Sequence, residues 1–531
     1  MTDSSVETSE PGDRGTDRPG INRRRLLGSA ATGAASLALG ACTSSGSNST
    51  AANADSPATT PTPSPSSTPE RDLPGNADWR IRSVGTQHAI EGYADKVSVL
   101  PGETFSLHIS TSSATYKVSA YRMGWYGGAQ ARLVWQSDTQ TGHMQKPARF
   151  DSSTRTVRAD WPASLTVPTT GWPAGAYLLR LDADSGHGRY VPVIVRSASA
   201  QGKMLFMHAA GTWQAYNLWG GYSLYQGPNG AYDTRSLITT FDRPYDDNGA
   251  EKFMVYERAA VVLAEKLDLP VAYTTGVDVH EDPSILNGAT AIISLGHDEY
   301  WTPEQRASVT KARDAGANVA FLGANTCFRR IRYQETALGP NRDVICYKTD
   351  YKADPMYPHD PRVVSTDFRA DPSPNPESSM TGVYYEGYPT DAPYVVHNAD
   401  HWLFAGTGVK QGDIFAHLIG VEYDRVTPSA PTPRPIEIIA HSPLVCNGTA
   451  SHADSAYYTS PSGAGVFASG TMRWVEGLLA GTPDGGDDNG MDAHTGAFVN
   501  AVTTNLFKAF AAGPAGKTQP PPKDNVHTVY G

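Results

Sequence analysis

The six residues Gly296-His297-Asp298-Glu299-Tyr300-Trp301 bring together an imidazole, two carboxylates and a phenol. An imidazole beside a carboxylate can exchange protons with a reacting group, and phenolate and carboxylate oxygens can grip a hard cation. The preceding run, residues 289–295, is apolar and ends in Gly, which reads as a buried strand. Thr302-Pro303-Glu304 then opens a helix, with Thr as N-cap and Pro in the first turn. The polar cluster thus falls at the carboxyl end of a strand, where open α/β sheets keep their ligand crevice.

Two further loops follow strands of the same kind. Thr212-Trp213-Gln214-Ala215-Tyr216-Asn217, extended by residues 219–225, comes after the strand at 204–208. Gly323-Ala324-Asn325-Thr326-Cys327 comes after the strand at 318–323. By the crevice rule both converge on the rim that carries His297 to Tyr300. His297, Glu299 and Asn325 are the catalytic candidates, with His297 as a possible general base. The simplest alternative pairs His297 with Asp298 to shape the turn and leaves Glu299 as a capping or salt-bridging residue. Glu422 and Asp424 could do acid/base work, or more simply hold Arg425. His401 and Trp402 read as packing for an inserted loop.

The elements that must position these groups fall into two sets. From 76 to 199, short alternating runs at 97–100, 104–110, 116–123, 175–181 and 190–196 are split by Gly, Pro and Ser, the pattern of an antiparallel β-sandwich. From 200 to 513, strands at 204–208, 271–275, 290–295, 318–323 and 465–469 alternate with helices at 251–267, 303–315 and 494–511. That order predicts an α/β domain with a mostly parallel sheet. Residues 333–462 are rich in Pro, Tyr and Asp and read as long loops over the sheet. Residues 514–531 read as an unstructured end.

The chain of 531 residues is 39% hydrophobic and 9% aromatic, enough for globular cores but too long for one. Its net charge of −11 argues against a nucleic-acid partner. In residues 1–41, Asp3, Glu7, Glu10, Asp13 and Asp17 cancel Arg14, Arg18, Arg23, Arg24 and Arg25, so the excess belongs to the rest. Asn22-Arg23-Arg24-Arg25-Leu26-Leu27 resembles a twin-arginine export signal, and Leu39-Gly40-Ala41-Cys42 a lipobox with Cys42 as the acylated residue. Residues 1–42 are read as this signal peptide and 43–75 as a Ser/Thr/Pro-rich tether. The expectation is a protein anchored by lipid alone on the outer face of the cytoplasmic membrane. Cys327, Cys346 and Cys446 permit one disulfide and leave one thiol over. Without CxxC or HExxH, a conventional zinc site is not expected.

Taken together, YRMGWYGG at 121–128, TWQAYNLWGGYSLY at 212–225, DRPY at 242–245, GHDEYW at 296–301, GANTCF at 323–328, GVEYDR at 420–425 and SGTMRW at 469–474 resemble the N,N-dimethylformamidase beta (large) subunit family. The resemblance spans roughly residues 80–511. It implies a β-sandwich beside a class I glutamine amidotransferase-like α/β domain, and amide hydrolysis on one iron held by two tyrosinates and a glutamate. Carried onto this chain, those ligands are Tyr300, Glu377 and Tyr256, with Tyr245 the alternative to Tyr256. Asn375 stands where the family enzyme has a His, and Phe328-Arg329-Arg330 where relatives carry a Trp soon after the Cys.

The leading expectation is therefore a membrane-tethered hydrolase of a C–N amide-type bond with a mononuclear metal, iron by resemblance. The alternative is a non-catalytic cell-envelope lipoprotein that holds a glycan or peptide on its Trp/Tyr-rich rim. Cys327 follows a strand as a nucleophile would, but residues 325–329 lack the Gly-x-Cys-x-Gly elbow, which favours a disulfide half or a packed thiol. Substrate and oligomeric state are open at this stage.

Overall fold

In the computed structural model, residues 68–86, 88–483 and 489–531 are described; the export signal and Cys42 lie outside them. The fold is mixed α/β, rich in sheet and sparing in helix. Its centre is a seven-stranded sheet in the order Val271–Thr275, Met204–His208, Ala291–Ser294, Asn318–Phe321, Gly465–Ala468, Thr449–Thr459, Ile436–Cys446. The first five strands run parallel. The last two are antiparallel additions. Buried β-branched runs make this possible: Ile292 and Val319 face one core while Ile293 and Ala320 face the other, so both sheet faces are covered.

Helix Ala493–Ala511 covers one face through Val499, Val502, Leu506, Phe507 and Phe510, a spacing of three and four that makes one apolar stripe. On the other face, helix Pro303–Asp314 places Val309 against Ile292 and Val319. Its start is as the sequence suggests, with the Thr302 hydroxyl accepting from Gln305 N at 3.1 Å and Pro303 in the first turn.

Before the central sheet come two others that share one buried cluster. Strands Ile90–Ala94, Thr104–Thr111 and Leu165–Pro168 form the smaller; the larger is built on Gly175–Ala183, Gly188–Val195, Thr115–Met123 and Ala131–Gln136. Phe105 and Leu107 from one meet Val118, Leu179 and Val193 from the other. The larger sheet is tied to the α/β part by a buried ion pair, Arg122 to Glu265 at 2.6 Å, with the Tyr273 hydroxyl donating to the same carboxylate at 2.7 Å.

Several sequence expectations are corrected. Residues 333–462 are not mainly loops: they contain the long strands Tyr384–Val395, Ile414–Arg425, Ile436–Cys446 and Thr449–Thr459, and two of these extend the central sheet. Prolines and bulges hid their alternation; Pro389 lies inside one strand, and registers shift at several points. The helix expected over 251–267 is two, Glu251–Tyr256 and Arg258–Lys266, broken at Glu257 with φ −133°. Glu257 leaves the helical path because its carboxylate accepts from Ala209 N at 3.1 Å and Trp213 Nε1 at 2.8 Å, and binds His208. Residues 514–531 are ordered. Ala515 and Val526 are buried, and Asn525 pairs with both backbone groups of Ile438 at 2.8 and 2.9 Å. Among the described residues no disulfide forms: Cys327, Cys346 and Cys446 are buried free thiols.

At the carboxyl ends of two central strands, Gly296 and Gly323 abut. A Cβ on Gly323 would lie 1.9 Å from the Gly296 carbonyl oxygen, and one on Gly296 2.3 Å from that of Tyr256. Only hydrogen side chains let the loops after these strands come this close. Gly323→Ala is expected to destabilise the fold by about 3 kcal/mol or more, read from urea denaturation; a loss below about 1 kcal/mol would show that the abutment is not needed.

Candidate active site

The turn after Gly296 is folded so that its carboxylate points inward. The Thr212 hydroxyl, in the short helix that follows strand Met204–His208, accepts from Glu299 N at 3.1 Å and Tyr300 N at 3.2 Å. Tyr300–Trp301 pairs in parallel with Arg329–Arg330, and Arg329 N donates to Glu299 O at 2.9 Å. The three loops singled out from the sequence therefore do meet: Thr212 binds the turn at Glu299, and Cys327 N donates to Asp298 O at 3.0 Å.

The Glu299 carboxylate is wholly buried and richly solvated by protein. Oε1 accepts from the Tyr225 hydroxyl at 2.6 Å and Arg329 Nε at 3.1 Å; Oε2 accepts from the Tyr216 hydroxyl at 2.7 Å. His297 Nε2 stands 3.4 Å from Glu299 Oε2 and 3.7 Å from Glu422 Oε2. Arg329 also binds Asp367. Half-buried Tyr216, Tyr225 and Tyr385 form the rim. His297, Glu299, Tyr300, Asn325, Lys348 and Glu422 are each 7% exposed or less, so the cluster is closed to bulk water.

The two glutamates are driven apart electrostatically. Burial works to raise the pKa of Glu299, but the neighbouring His297 ring and the Arg329 guanidinium outweigh it and hold it down at about 2. Burial and the Glu299 charge instead push Glu422 well up, against a smaller opposing effect of the Asn325 side chain. Burial lowers His297 despite the Glu299 partner, so its ring is neutral and able to take a proton. Burial, with Arg329 nearby, also drives Lys348 well below the usual lysine range. Two carboxyl groups shifted in opposite directions beside one imidazole suit acid/base chemistry.

Five buried polar atoms in this cluster have no hydrogen-bond partner: His297 Nε2, Tyr300 Oη, Asn325 Oδ1, Lys348 Nζ and Glu422 Oε2. Orphaned groups are rare in native interiors and expensive, so their concentration around one carboxylate marks a place built for something other than packing. Backbone strain gathers here too, since Asn325, Cys327 and Lys348 adopt positive φ of 58°, 56° and 54°.

The other sequence candidates sort as follows. Asp298 does not pair with His297: its carboxyl takes the Ser294 hydroxyl at 2.7 Å, and burial lifts it to about 8. Glu422 and Asp424 do not hold Arg425, which binds Glu386 at 2.9 Å. Strand alternation explains this, since 422 and 424 share one face and 425 has the other. Asp424 accepts from Asn325 N at 2.8 Å and so fixes that loop. Glu377 is bound by Arg369 and accepts from Tyr385 N at 3.1 Å; the carboxylate beside Tyr300 is Glu299. The Tyr256 ring meets His297 edge-on, centroids 5.6 Å apart, whereas Tyr245 lies among the charges of Arg342, Arg243 and Glu257. His401 packs on Tyr457, as a packing residue should. Burial lifts the Cys327 thiol to about 12, which disfavours a thiolate nucleophile. Sequence reasoning missed Arg329, Lys348 and Tyr385 as site residues. Arg329 follows the strand-end loop and could have been found there; Lys348 and Tyr385 carry no local signal.

Loops after strands of a mixed α/β fold thus bring two glutamates and an imidazole together. The family described as N,N-dimethylformamidase beta subunit-like, C-terminal, matches residues 117–489, and the chain belongs to it. No curated protein matches. Among solved structures, the chain is similar to a Paenibacillus sp. cycloisomaltooligosaccharide glucanotransferase complexed with cycloisomaltoheptaose, at 10% identity over 48% of this chain. The likeness spans about a third of that protein, 33%, and its TM-score of 0.14 carries no argument.

Asp424 gives a pH test of this electrostatic description. Burial raises it from 3.8 to about 8, so the folded state binds a proton the unfolded chain has lost. Its contribution to stability is complete below the unfolded value and drains away as pH rises through the folded one. Asp424→Asn should therefore flatten the fall in Tm between about pH 5 and 8.5 and exceed the wild type at the alkaline end; parallel curves would refute the assignment.

Proposed function

We propose that this chain is an exported hydrolase of a C–N amide-type bond, with the cluster around Glu299 as its active site. The observation that carries the reading is the set of five orphaned polar atoms beside two glutamates whose surroundings push their pKa values in opposite directions. In this reading neutral His297 takes a proton from water as it adds to the substrate carbonyl carbon. Glu299, 3.4 Å away, stabilises the imidazolium without accepting the proton, because Tyr216, Tyr225 and Arg329 hold it anionic. The carboxyl of Glu422 then protonates the departing amine, and the 3.7 Å separation from His297 lets the proton return. The dimethylformamidase-like family supports the reaction class.

Iron, which the family resemblance implies, would supply a Lewis acid for the carbonyl. The ligand set carried over from sequence does not fit as a whole. Tyr300 Oη is free of hydrogen bonds, but the Glu377 carboxylate is committed to Arg369 and the Tyr385 backbone.

The finer architecture belongs to the same proposal: a β-sandwich over 76–199 and an amidotransferase-like α/β domain over 200–513, tethered by a lipid on Cys42. The shared core of the two N-terminal sheets and the five parallel strands support it. Among the described residues no helix is long and apolar enough to cross a membrane.

Assayed by amine or ammonia release from small amides, Glu299→Gln and Glu422→Gln should each lower kcat by about 100-fold or more, with chelator making no difference. Bound iron near one equivalent, with a visible band lost in Tyr300→Phe and turnover abolished by chelator, would replace the acid/base reading with a metal one.

A further inference from the structure

Three imidazoles gather around one carboxylate where the end of the chain covers the central sheet. His441 Nδ1 meets Asp454 Oδ1 at 2.7 Å, and the wholly buried Asp454 carboxylate also accepts from Val426 N at 2.9 Å and from the Tyr530 hydroxyl. The His452 ring lies flat against that of His441, centroids 4.0 Å apart and planes 15° from parallel. His397 stands near-perpendicular to His441 at 6.2 Å, and Tyr530 edge-on to it at 5.3 Å. Register produces the stack: across the ladder His441 pairs with Asp454 and Pro443 with His452, so the two rings leave one face as diagonal neighbours. The ladder fixes both of their backbones. Tyr530 instead belongs to a five-residue helix, Val526–Tyr530. That helix is held to the sheet by Asn525 on Ile438 and by Val526 in the apolar cluster of Ile436 and Ile438.

The charges around the stack do not balance once both rings are protonated. Asp454 neutralises one imidazolium; a second, on His452, would lie face to face with the first at 4.0 Å. Arg425 adds positive charge, its guanidinium 5.9 Å from the Tyr530 ring centroid, although Glu386 pairs with it at 2.9 Å. On the covering segment, His527 is exposed, Asp524 is paired with Arg434, and Lys523 N donates to Glu437 at 3.0 Å. Burial, then the His441 ring, lower His452 from its ordinary value of 6.5, with Asp454 opposing and Arg425 assisting. Burial and His441 lower His397 in the same way. We propose that residues 524–531 form a pH-operated latch, closed over the His441–His452 stack at neutral pH and released when both rings carry a proton. The sheet cannot part the two rings, so the contact that gives way is the one with Tyr530. The closed form takes up protons less readily than the released one, in which water reaches the rings. The latch is therefore held fully above the ordinary imidazole value and loosens as pH falls through it. Release would bare the outer strand around Ile438, and the device works independently of the Glu299 cluster.

The test is amide hydrogen exchange of the full chain in residues 524–531, compared at about pH 7.5 and about pH 5.5 after correction for the intrinsic pH dependence of exchange. Protection there should fall by about tenfold or more at the lower pH, while strand Ala291–Ser294 keeps its own. His452→Gln removes the second charge at a half-buried position, and its protection should differ by less than about twofold between the two conditions. Asp524→Asn should retain the fall, since the imidazoles and not the Asp524–Arg434 pair titrate in this window. Equal protection of the wild type at both pH values would overturn the proposal. So would a fall in His452→Gln as large as in the wild type, or loss of the fall in Asp524→Asn. A fall shared by Ala291–Ser294 would equally overturn it, because the whole fold and not the terminus would then be opening.

Discussion

Everything at this site depends on keeping the Glu299 carboxylate charged in a place without water. Transferring such an anion into a low-dielectric interior is prohibitive unless hydrogen bonds and positive charge replace its hydration shell. The fold supplies Tyr216, Tyr225 and Arg329 from separate segments for this purpose, and Thr212 fixes the backbone that presents the group. Once Glu299 is charged, its field acts on its neighbours: burial and that charge together push Glu422 well up. One negative charge therefore sets the protonation pattern of the cluster.

That pattern requires long-range assembly. Tyr216 and Tyr225 come from the segment after the first central strand, Arg329 from the segment after Asn318–Phe321, and Glu422 from an antiparallel strand about a hundred residues later in the chain. The meeting of Gly296 with Gly323 brings the first loops together, and Asp424 ties the Asn325 loop to the late strand. Packing between glycines thus precedes the electrostatics. A side chain there would separate groups whose influence on one another falls steeply with distance.

Local pattern made much of this legible. Apolar runs located the five parallel strands, Thr302-Pro303 located a helix start, and the crevice rule brought residues 212–225, 296–301 and 323–327 to one rim. What stayed hidden depends on contacts between distant segments. The break at Glu257 is forced by His208, Ala209 and Trp213, none of which its own window reveals. The strands within 333–462 carry prolines and bulges that blur a period of two. The Lys348 amine earned no attention because a lone lysine after a strand looks like a surface residue until its burial is seen. Likewise, the spacing of Glu377 says nothing of Arg369 claiming its carboxylate.

The last residues of the chain carry a separate lesson. Ile436–Cys446 is the outermost strand of the central sheet, and an open outer strand is a template on which other polypeptides can stack. Asn525 clips onto Ile438 with both arms of its amide, and Tyr530 reaches Asp454 on the neighbouring strand. Residues 525–530, together with 395–398, which bridge Ala440 and donate to Ile439 O, therefore bind part of that border as a selvedge binds cloth.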